Sequence, residues 1–400
     1  MQRQIFNTTA TRTISTVLNF AIALAVARHL GPGSKGITTL IVTTLTIIQF
    51  ASNVMGGHSL VYLIPRIEIE KVIRQSYFFS ITVSMLSAPV MLVLGIMPKT
   101  KLLLVSMTGV FYAMSTIHYS LLLGRKKISR ANIIMLMPIA LQTLGIGIGF
   151  YVLNLNSIDT FLYTLLVAHF LTLLISFIVT PIRWDEVIKS KVTINDTLLV
   201  LKLGARYQLV ELLQLLNLRL YFYILAARQG NAALGVYSIG ISILETVWII
   251  PRSISTLQYI STSNSEELSS SYNQTVKLLK HSIISTGILL ITIMMVPGEW
   301  YAAIFGEGFK DIKHAVRFLS PGIWVYNIVL ILSSYFQGTG NYKPLLVSHT
   351  VGLFILSIAS AAFIPSYYMS GAGLAATLSF SSSAAMIMFY YFRQSQTKVI

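Results

Sequence analysis

Residues 161–180 read FLYTLLVAHFLTLLISFIVT, a run without a single Asp, Glu, Lys or Arg. About twenty residues of α-helix cross a hydrocarbon core of about 30 Å, so this run has the length and composition of a membrane crossing. Similar windows lie before it, at roughly 8 to 30, 37 to 64, 76 to 97, 102 to 123 and 131 to 153. Others follow it, at roughly 203 to 228, 235 to 260, 279 to 297, 314 to 337, 345 to 364 and 372 to 392. Turn chemistry marks most of the gaps: Gly31-Pro32-Gly33, Pro98, Gly124, Asn154 to Asn156, Gly230-Asn231, Pro297-Gly298, Gly338 to Asn341 and Ser370-Gly371. The spacing predicts an all-α polytopic membrane protein with about twelve transmembrane helices.

Composition agrees. Of the 400 residues 54% are hydrophobic and only 10% charged, against roughly 25% charged in soluble domains. So few charges cannot cover a water-facing surface. The first apolar window follows Arg3 and Arg12 and runs to Leu30 without a small-residue cleavage site, so it is expected to stay as a helix. No soluble domain is expected on either side of the bundle. The absence of cysteine excludes disulfides, thiol catalysis and Cys-based zinc sites.

A net charge of +16 would suggest nucleic-acid binding in a soluble protein. Here the basic residues sit in loops between apolar segments, which is the positive-inside pattern. Alternating the loops from an inside N-terminus places twenty of the 29 Lys and Arg residues on the cytoplasmic side, among them Arg66, Lys71, Arg125 to Lys127, Arg183, Lys191 and Lys398. The opposite side receives eight: Arg28, Lys35, Lys99, Lys101, Arg228, Lys310, Lys313 and Arg317. Arg219 falls within a helix. Both termini are therefore expected in the cytoplasm, with no nucleic-acid partner.

The two halves echo each other. Ala27-Arg28 followed by Gly36-Ile37-Thr38 matches Ala227-Arg228 followed by Gly235 to Ser238, at an offset close to half the chain. Leu123-Gly124-Arg125 pairs with Gln337-Gly338-Thr339 in the same way. Parallel repeats of this kind place a binding site between two lobes. The expected organisation is a six-helix lobe over 1–180, a cytoplasmic connection over 181–202, a second six-helix lobe over 203–392 and a tail over 393–400, with a central polar cavity.

Polar faces single out the candidate site. At 100° per residue Arg206, Tyr207, Glu211, Gln214, Asn217, Tyr221 and Arg228 share one arc of the seventh segment, and Leu fills much of the rest. The eighth carries Ser238, Ser242, Glu245, Arg252 and Thr256, the first Arg12, Thr16 and Asn19, and the second Thr39, Thr43, Thr46 and Asn53. Ser and Thr also bond their own helix backbone or pack between helices, so the second stripe reads equally as packing. Charges within a membrane cost several kcal/mol unless paired or hydrated. Glu211 and Glu245 therefore either line a cavity or pair with another helix, and Arg12, Arg206 and Arg252, nearer the cytoplasmic ends, either bind substrate or snorkel. Arg219 lies nearly opposite its helix's polar arc, so either that helix is kinked or Arg219 meets a neighbour.

His58, His118 and His169 read as packed or hydrogen-bonded residues, and Trp184, Trp300, Tyr301, Tyr367 and Tyr368 as interface anchors. No catalytic pattern emerges. Gly31 to Gly36 lacks P-loop spacing, HExxH and GxSxG are missing, and no metal or cofactor site is expected.

ARHLGPGSKGITTL at 27–40, LLNLRLYFYILA at 215–226, GVYSIGISILETVWIIPRSIST at 235–256 and GAGLAATLSF at 371–380 resemble, in order, the signatures of bacterial Wzx-type oligosaccharide flippases. These form a branch of the multidrug/oligosaccharidyl-lipid/polysaccharide (MOP) exporter superfamily. The resemblance implies alternating access and transport of a lipid-linked oligosaccharide, usually on undecaprenyl diphosphate, from the cytoplasmic to the periplasmic leaflet of the inner membrane. It also implies a place in O-antigen or related surface-polysaccharide assembly, alongside a polysaccharide polymerase and chain-length machinery. In the family the Arg-Leu of the seventh-helix motif is often followed by Asp, whereas here Tyr221 follows, leaving Glu211 and Glu245 as the nearest acids.

An anionic, hydrated headgroup needs a polar path with cations, and Arg chelates phosphate oxygens better than Lys. The expected substrate-contacting set is Arg12, Thr16, Asn19, Asn53, Arg206, Glu211, Gln214, Asn217, Arg219, Tyr221, Glu245 and Arg252. A multidrug antiporter of the same superfamily, expelling cations, is the alternative within transporters. It would favour net acidity, yet Arg12, Arg206, Arg228 and Arg252 outnumber Glu211 and Glu245 in the stripes. A membrane polysaccharide polymerase is a third reading, but it would be expected to show long outward loops, and these are missing.

Overall fold

The computed structural model describes residues 2–57, 60–61, 64, 69–95, 101–182, 184–189, 194–264 and 268–396. His58, Arg66, Pro98, Lys99, Arg183, Lys191 and Lys398, and the side chains of Arg3, Lys71 and Arg206, lie outside the described residues.

Every long element is helical. In chain order they are α1 (Gln2–Ser52), α2 (Ile69–Met85), α3 (Ser87–Val93), α4 (Leu102–Gly124) and α5 (Ile128–Ile146), which runs on into a wider π-helical turn at Gly147–Val152. Next come α6 (Ile158–Val179), α7 (Trp184–Lys189), α8 (Ile194–Thr246), α9 (Ile249–Asn264) and α10 (Leu268–Met294). The last are α11 (Gly298–Phe305), α12 (Ile312–Gly338) and α13 (Lys343–Gln396). Among the described residues, nine helical stretches are long and apolar enough to cross a membrane.

Three of these stretches far exceed a single crossing: Ala10–Ser52, Val200–Thr246 and Lys343–Gln394. Each contains one residue outside helical geometry, at Gly31 (φ 74°, ψ 177°), Gly230 (φ 82°, ψ 167°) and Tyr368 (φ 53°, ψ −132°). These interruptions fall where turn chemistry separates the expected segments. The described residues therefore show nine long stretches rather than twelve separate helices, and in each of the three longest a single residue, not a loop, interrupts the helix. The eighth expected segment breaks again at Val247-Trp248 and restarts as α9. Pro251 explains the restart, since a proline is tolerated in a helix's first turn, where its missing N–H has no intrahelical partner.

The chain divides into two compact units. Unit 1 comprises residues 1–30 and 37–212, and unit 2 comprises 31–36 and 213–400. In unit 1, Ile22, Val26, Ile41, Leu45, Val105, Phe150 and Phe161 form one buried cluster, and Met55, Ile73, Tyr77, Ile117, Leu121 and Val187 form another. His118 is buried with its Nε2 at the Tyr77 hydroxyl and its ring edge-on to Phe177, and His169 stacks on Tyr112 with centroids 4.7 Å apart. Both histidines pack.

Unit 2 is organised by an aromatic chain. Trp248 lies 5.1 Å from Tyr326, and Tyr326 lies 4.8 Å from Phe380, joining the α8–α9 break to α12 and the second part of α13. The Trp248 indole N–H donates to the Ile323 carbonyl at 3.2 Å, so this buried residue has both its packing and its polar edge satisfied. Of the aromatic residues expected at the membrane surface, Trp300, Tyr367 and Tyr368 are exposed, while Tyr301 is buried and donates to the Ile293 carbonyl.

Candidate functional site

On α1, Arg12 and Asn19 are exposed on one face with Thr16 half-buried between them. The Thr16 hydroxyl donates to the Arg12 carbonyl at 3.0 Å, the back-bonding expected of Ser and Thr in an apolar helix. Asn53 sits in the turn that follows α1. Its Oδ1 accepts from Gln49 Nε2 at 3.4 Å, while the same Gln49 amide donates to Thr116 Oγ1 at 2.6 Å.

The polar arc of α8 splits. Glu211 and Gln214 are half-buried, whereas Asn217 and Tyr221 are fully buried in unit 2. Asn217 Nδ2 donates to Ser383 Oγ at 3.1 Å, its Oδ1 accepts from the Ser379 hydroxyl, and Ser379 also reaches the Gly352 carbonyl at 2.8 Å. Gly352 permits this closeness, because a Cβ there would overlap Ser383 Oγ and Asn217 Nδ2. Tyr221 packs edge-on against Tyr237 and Phe222. In this conformation both residues hold helices together.

Arg219 meets a neighbour. Its Nη2 lies 2.7 Å from Glu245 Oε1 and 2.9 Å from Oε2, across the two parts of α8 that Gly230 separates. Its guanidinium carbon stands 5.2 Å from the Phe222 ring centroid, a cation–π contact that fixes the plane from one side. Arg252, exposed in the first turn of α9, rests 5.6 Å over the Trp248 ring.

Sequence reasoning did not single out Ser379, Ser383 and Gly352, although Ser379 and Ser383 are spaced i, i+4 on one helix face. It also passed over His349, fully buried one turn before Gly352, with no hydrogen-bond partner to either ring nitrogen. Among the described residues no group of three or more His, Asp or Glu is placed to hold a metal ion.

The chain shares its fold with solved transporters of the MOP superfamily. Its structure superposes on an inward-facing multidrug resistance MATE family transporter of that superfamily with a TM-score of 0.76 at 16% identity, covering 96% of this chain and 95% of the other. On the lipid II flippase MurJ in an inward closed conformation it scores 0.78 at 14% identity, covering 96% and 87%. On a MOP superfamily transporter from Pyrococcus furiosus, whose reversed pocket polarity suggests a different function, it scores 0.66 at 15% identity, covering 98% and 94%. No family model and no curated protein sequence matches the chain.

Proposed function

We propose that this protein is a flippase that carries a polyprenyl-diphosphate-linked oligosaccharide from the cytoplasmic to the periplasmic leaflet of a bacterial inner membrane by alternating access. In this reading the three long stretches each cross twice, so the chain crosses twelve times with both termini in the cytoplasm. Residues 1–180 and 203–392 are then the two six-crossing halves, joined by the cytoplasmic connection 181–202, with 393–400 as a cytoplasmic tail.

The fold is shared by drug exporters and a lipid-linked sugar flippase, so charge has to decide between them. The observation that carries the proposal is the Arg219–Glu245 ion pair, at 2.7 Å. Glu245 and Arg219 cancel each other in this conformation, and the charges outside the pair are Glu211 against Arg12, Arg206, Arg228 and Arg252 in the polar faces. Such a balance suits an anionic substrate. Arg12 and Arg252 are exposed, and in this topology both lie toward the cytoplasmic ends of their segments, where an approaching headgroup would meet them.

The test is reconstitution in proteoliposomes with two substrates. Transfer of a polyprenyl-diphosphate oligosaccharide between leaflets, read by accessibility of the sugar to an added glycosidase, is the expected result. Ethidium transport without sugar transfer would overturn the proposal in favour of the multidrug antiporter.

A further inference from the structure

If the chain turns between two crossings at Gly230 as proposed, Arg219 and Glu245 fall near the middle of the membrane. Arg219 lies about three turns before Gly230, and Glu245 about three turns after Gly235, so at 1.5 Å per residue each is roughly 15 Å from the turn that joins them. That is about half the thickness of a hydrocarbon core of roughly 30 Å.

The pairing is lopsided. A guanidinium has five N–H donors, yet Nη2 alone serves both carboxylate oxygens. Among the described residues Nη1 reaches only the Leu218 carbonyl, at a long 3.4 Å, and Nε has no hydrogen-bond partner. The Arg219 side chain keeps 22% of its surface exposed and that of Glu245 keeps 21%. Charged groups at this depth are not left against lipid tails, so the exposed side faces water or a polar ligand.

We propose that Arg219 is a mid-membrane binding site for a phosphate-class anion, and that Glu245 is the internal anion that takes the ligand's place when the site is empty. The inference rests on the flippase reading and assigns its headgroup a contact. An incoming diphosphate engages Nε and Nη1 first, because Nη1 holds only the long bond to Leu218 and Nε has no partner among the described residues, and then competes with the carboxylate for Nη2. Phe222 holds the guanidinium plane throughout. The displaced Glu245 carboxylate hydrates on its exposed side. It is free to swing because it sits at the end of its helix, next to the break at Val247-Trp248. After release of the anion Glu245 closes on Arg219 again, and the empty transporter resets without a bare cation in the membrane.

The test is binding of farnesyl diphosphate and of inorganic diphosphate to the full chain in nanodiscs. Arg219→Gln is expected to weaken binding of both by about tenfold or more, the scale of a lost charge-assisted bidentate contact. Glu245→Gln, which removes the competitor, is expected to bind both more tightly than the unmodified protein and to release them more slowly. The double variant Arg219→Gln/Glu245→Gln carries no unpaired charge and so keeps its fold, checked by its melting temperature, and it is expected to bind weakly. Tight binding by the double variant, or binding by Glu245→Gln no tighter than by the unmodified protein, overturns the exchange while leaving the flippase reading intact. Unmodified protein that neither binds diphosphate nor transfers lipid-linked sugar overturns both.

Discussion

Gly36 lies against the main-chain carbonyl of Asn231, and Gly235 lies against the main-chain carbonyl of Pro32. One sequence offset relates Gly36 to Gly235 and Pro32 to Asn231, so the contact is reciprocal. A Cβ at either glycine would overlap the facing carbonyl. Gly36→Ala and Gly235→Ala are each expected to destabilise by about 1–3 kcal/mol, the usual cost of overpacking. Gly33→Ala, with open space around it, is expected to be neutral. Melting temperatures in detergent, read by size-exclusion of heated samples, check the contrast.

Gly31 and Gly230 test backbone rather than packing. Neither has an atom within 4 Å of a would-be Cβ, but both combine a positive φ with an extended ψ, a region essentially restricted to glycine. Gly230→Ala is expected to lower stability by about 1–3 kcal/mol through strain alone. Gly230→Asn is expected to do no better, because asparagine tolerates the left-handed helical region and not this one. Equal melting temperatures for Gly230→Ala and the unmodified protein would show that the turn relaxes.

Asn217 provides a structural counterpart to Arg219 on the same helix. Asn217→Ala leaves Ser383 without its donor and Ser379 with only the Gly352 carbonyl. The expected cost is about 1–3 kcal/mol, that of an unsatisfied buried polar group. Diphosphate affinity should be unchanged, since Asn217 is fully buried. A melting curve and a binding isotherm on the same sample separate the two roles.

These contrasts show where sequence reasoning stops. The crossings were legible because apolar runs about twenty residues long have no other stable home. The turns at Gly31 and Gly230 were legible because Gly and Pro punctuate such runs. Helical projection also placed Asn217, Tyr221 and Arg219 on definite faces of α8. What projection cannot supply is the surface that each face meets. Asn217 finds Ser379 and Ser383 far along the chain, and Arg219, on the less polar side, finds Glu245. The break at Val247-Trp248 lies inside the apolar run 235–260, where Pro251 is its one local signal.

Arg12, Arg206 and Arg252 are expected to capture the headgroup at the cytoplasmic side. Arg12→Ala and Arg252→Ala should each reduce surface glycan several-fold at unchanged protein abundance, and Lys should rescue only partly because it lacks the bidentate fork. For Arg252, Lys also gives up much of the stacking on Trp248. Normal export by the triple alanine variant would show that these residues only snorkel to the interface.

Transport is expected to draw on the membrane potential. The Arg219–Glu245 pair has no net charge of its own, so the charge moved in each cycle is that of the headgroup, whichever anion Arg219 holds. Outward movement of an anion from a negative interior is downhill. Two uncompensated negative charges would gain roughly 4 to 5 kcal/mol per 100 mV, while protons or cations carried along, with Glu211 as one acceptor, would reduce that figure. The measurement is the rate of headgroup appearance at the outer leaflet of vesicles under an inside-negative potential and after its collapse, at fixed pH and ion gradients. A drop in rate on collapse is expected. An unchanged rate would exclude net anion movement as the driver and point to electroneutral exchange against a cation.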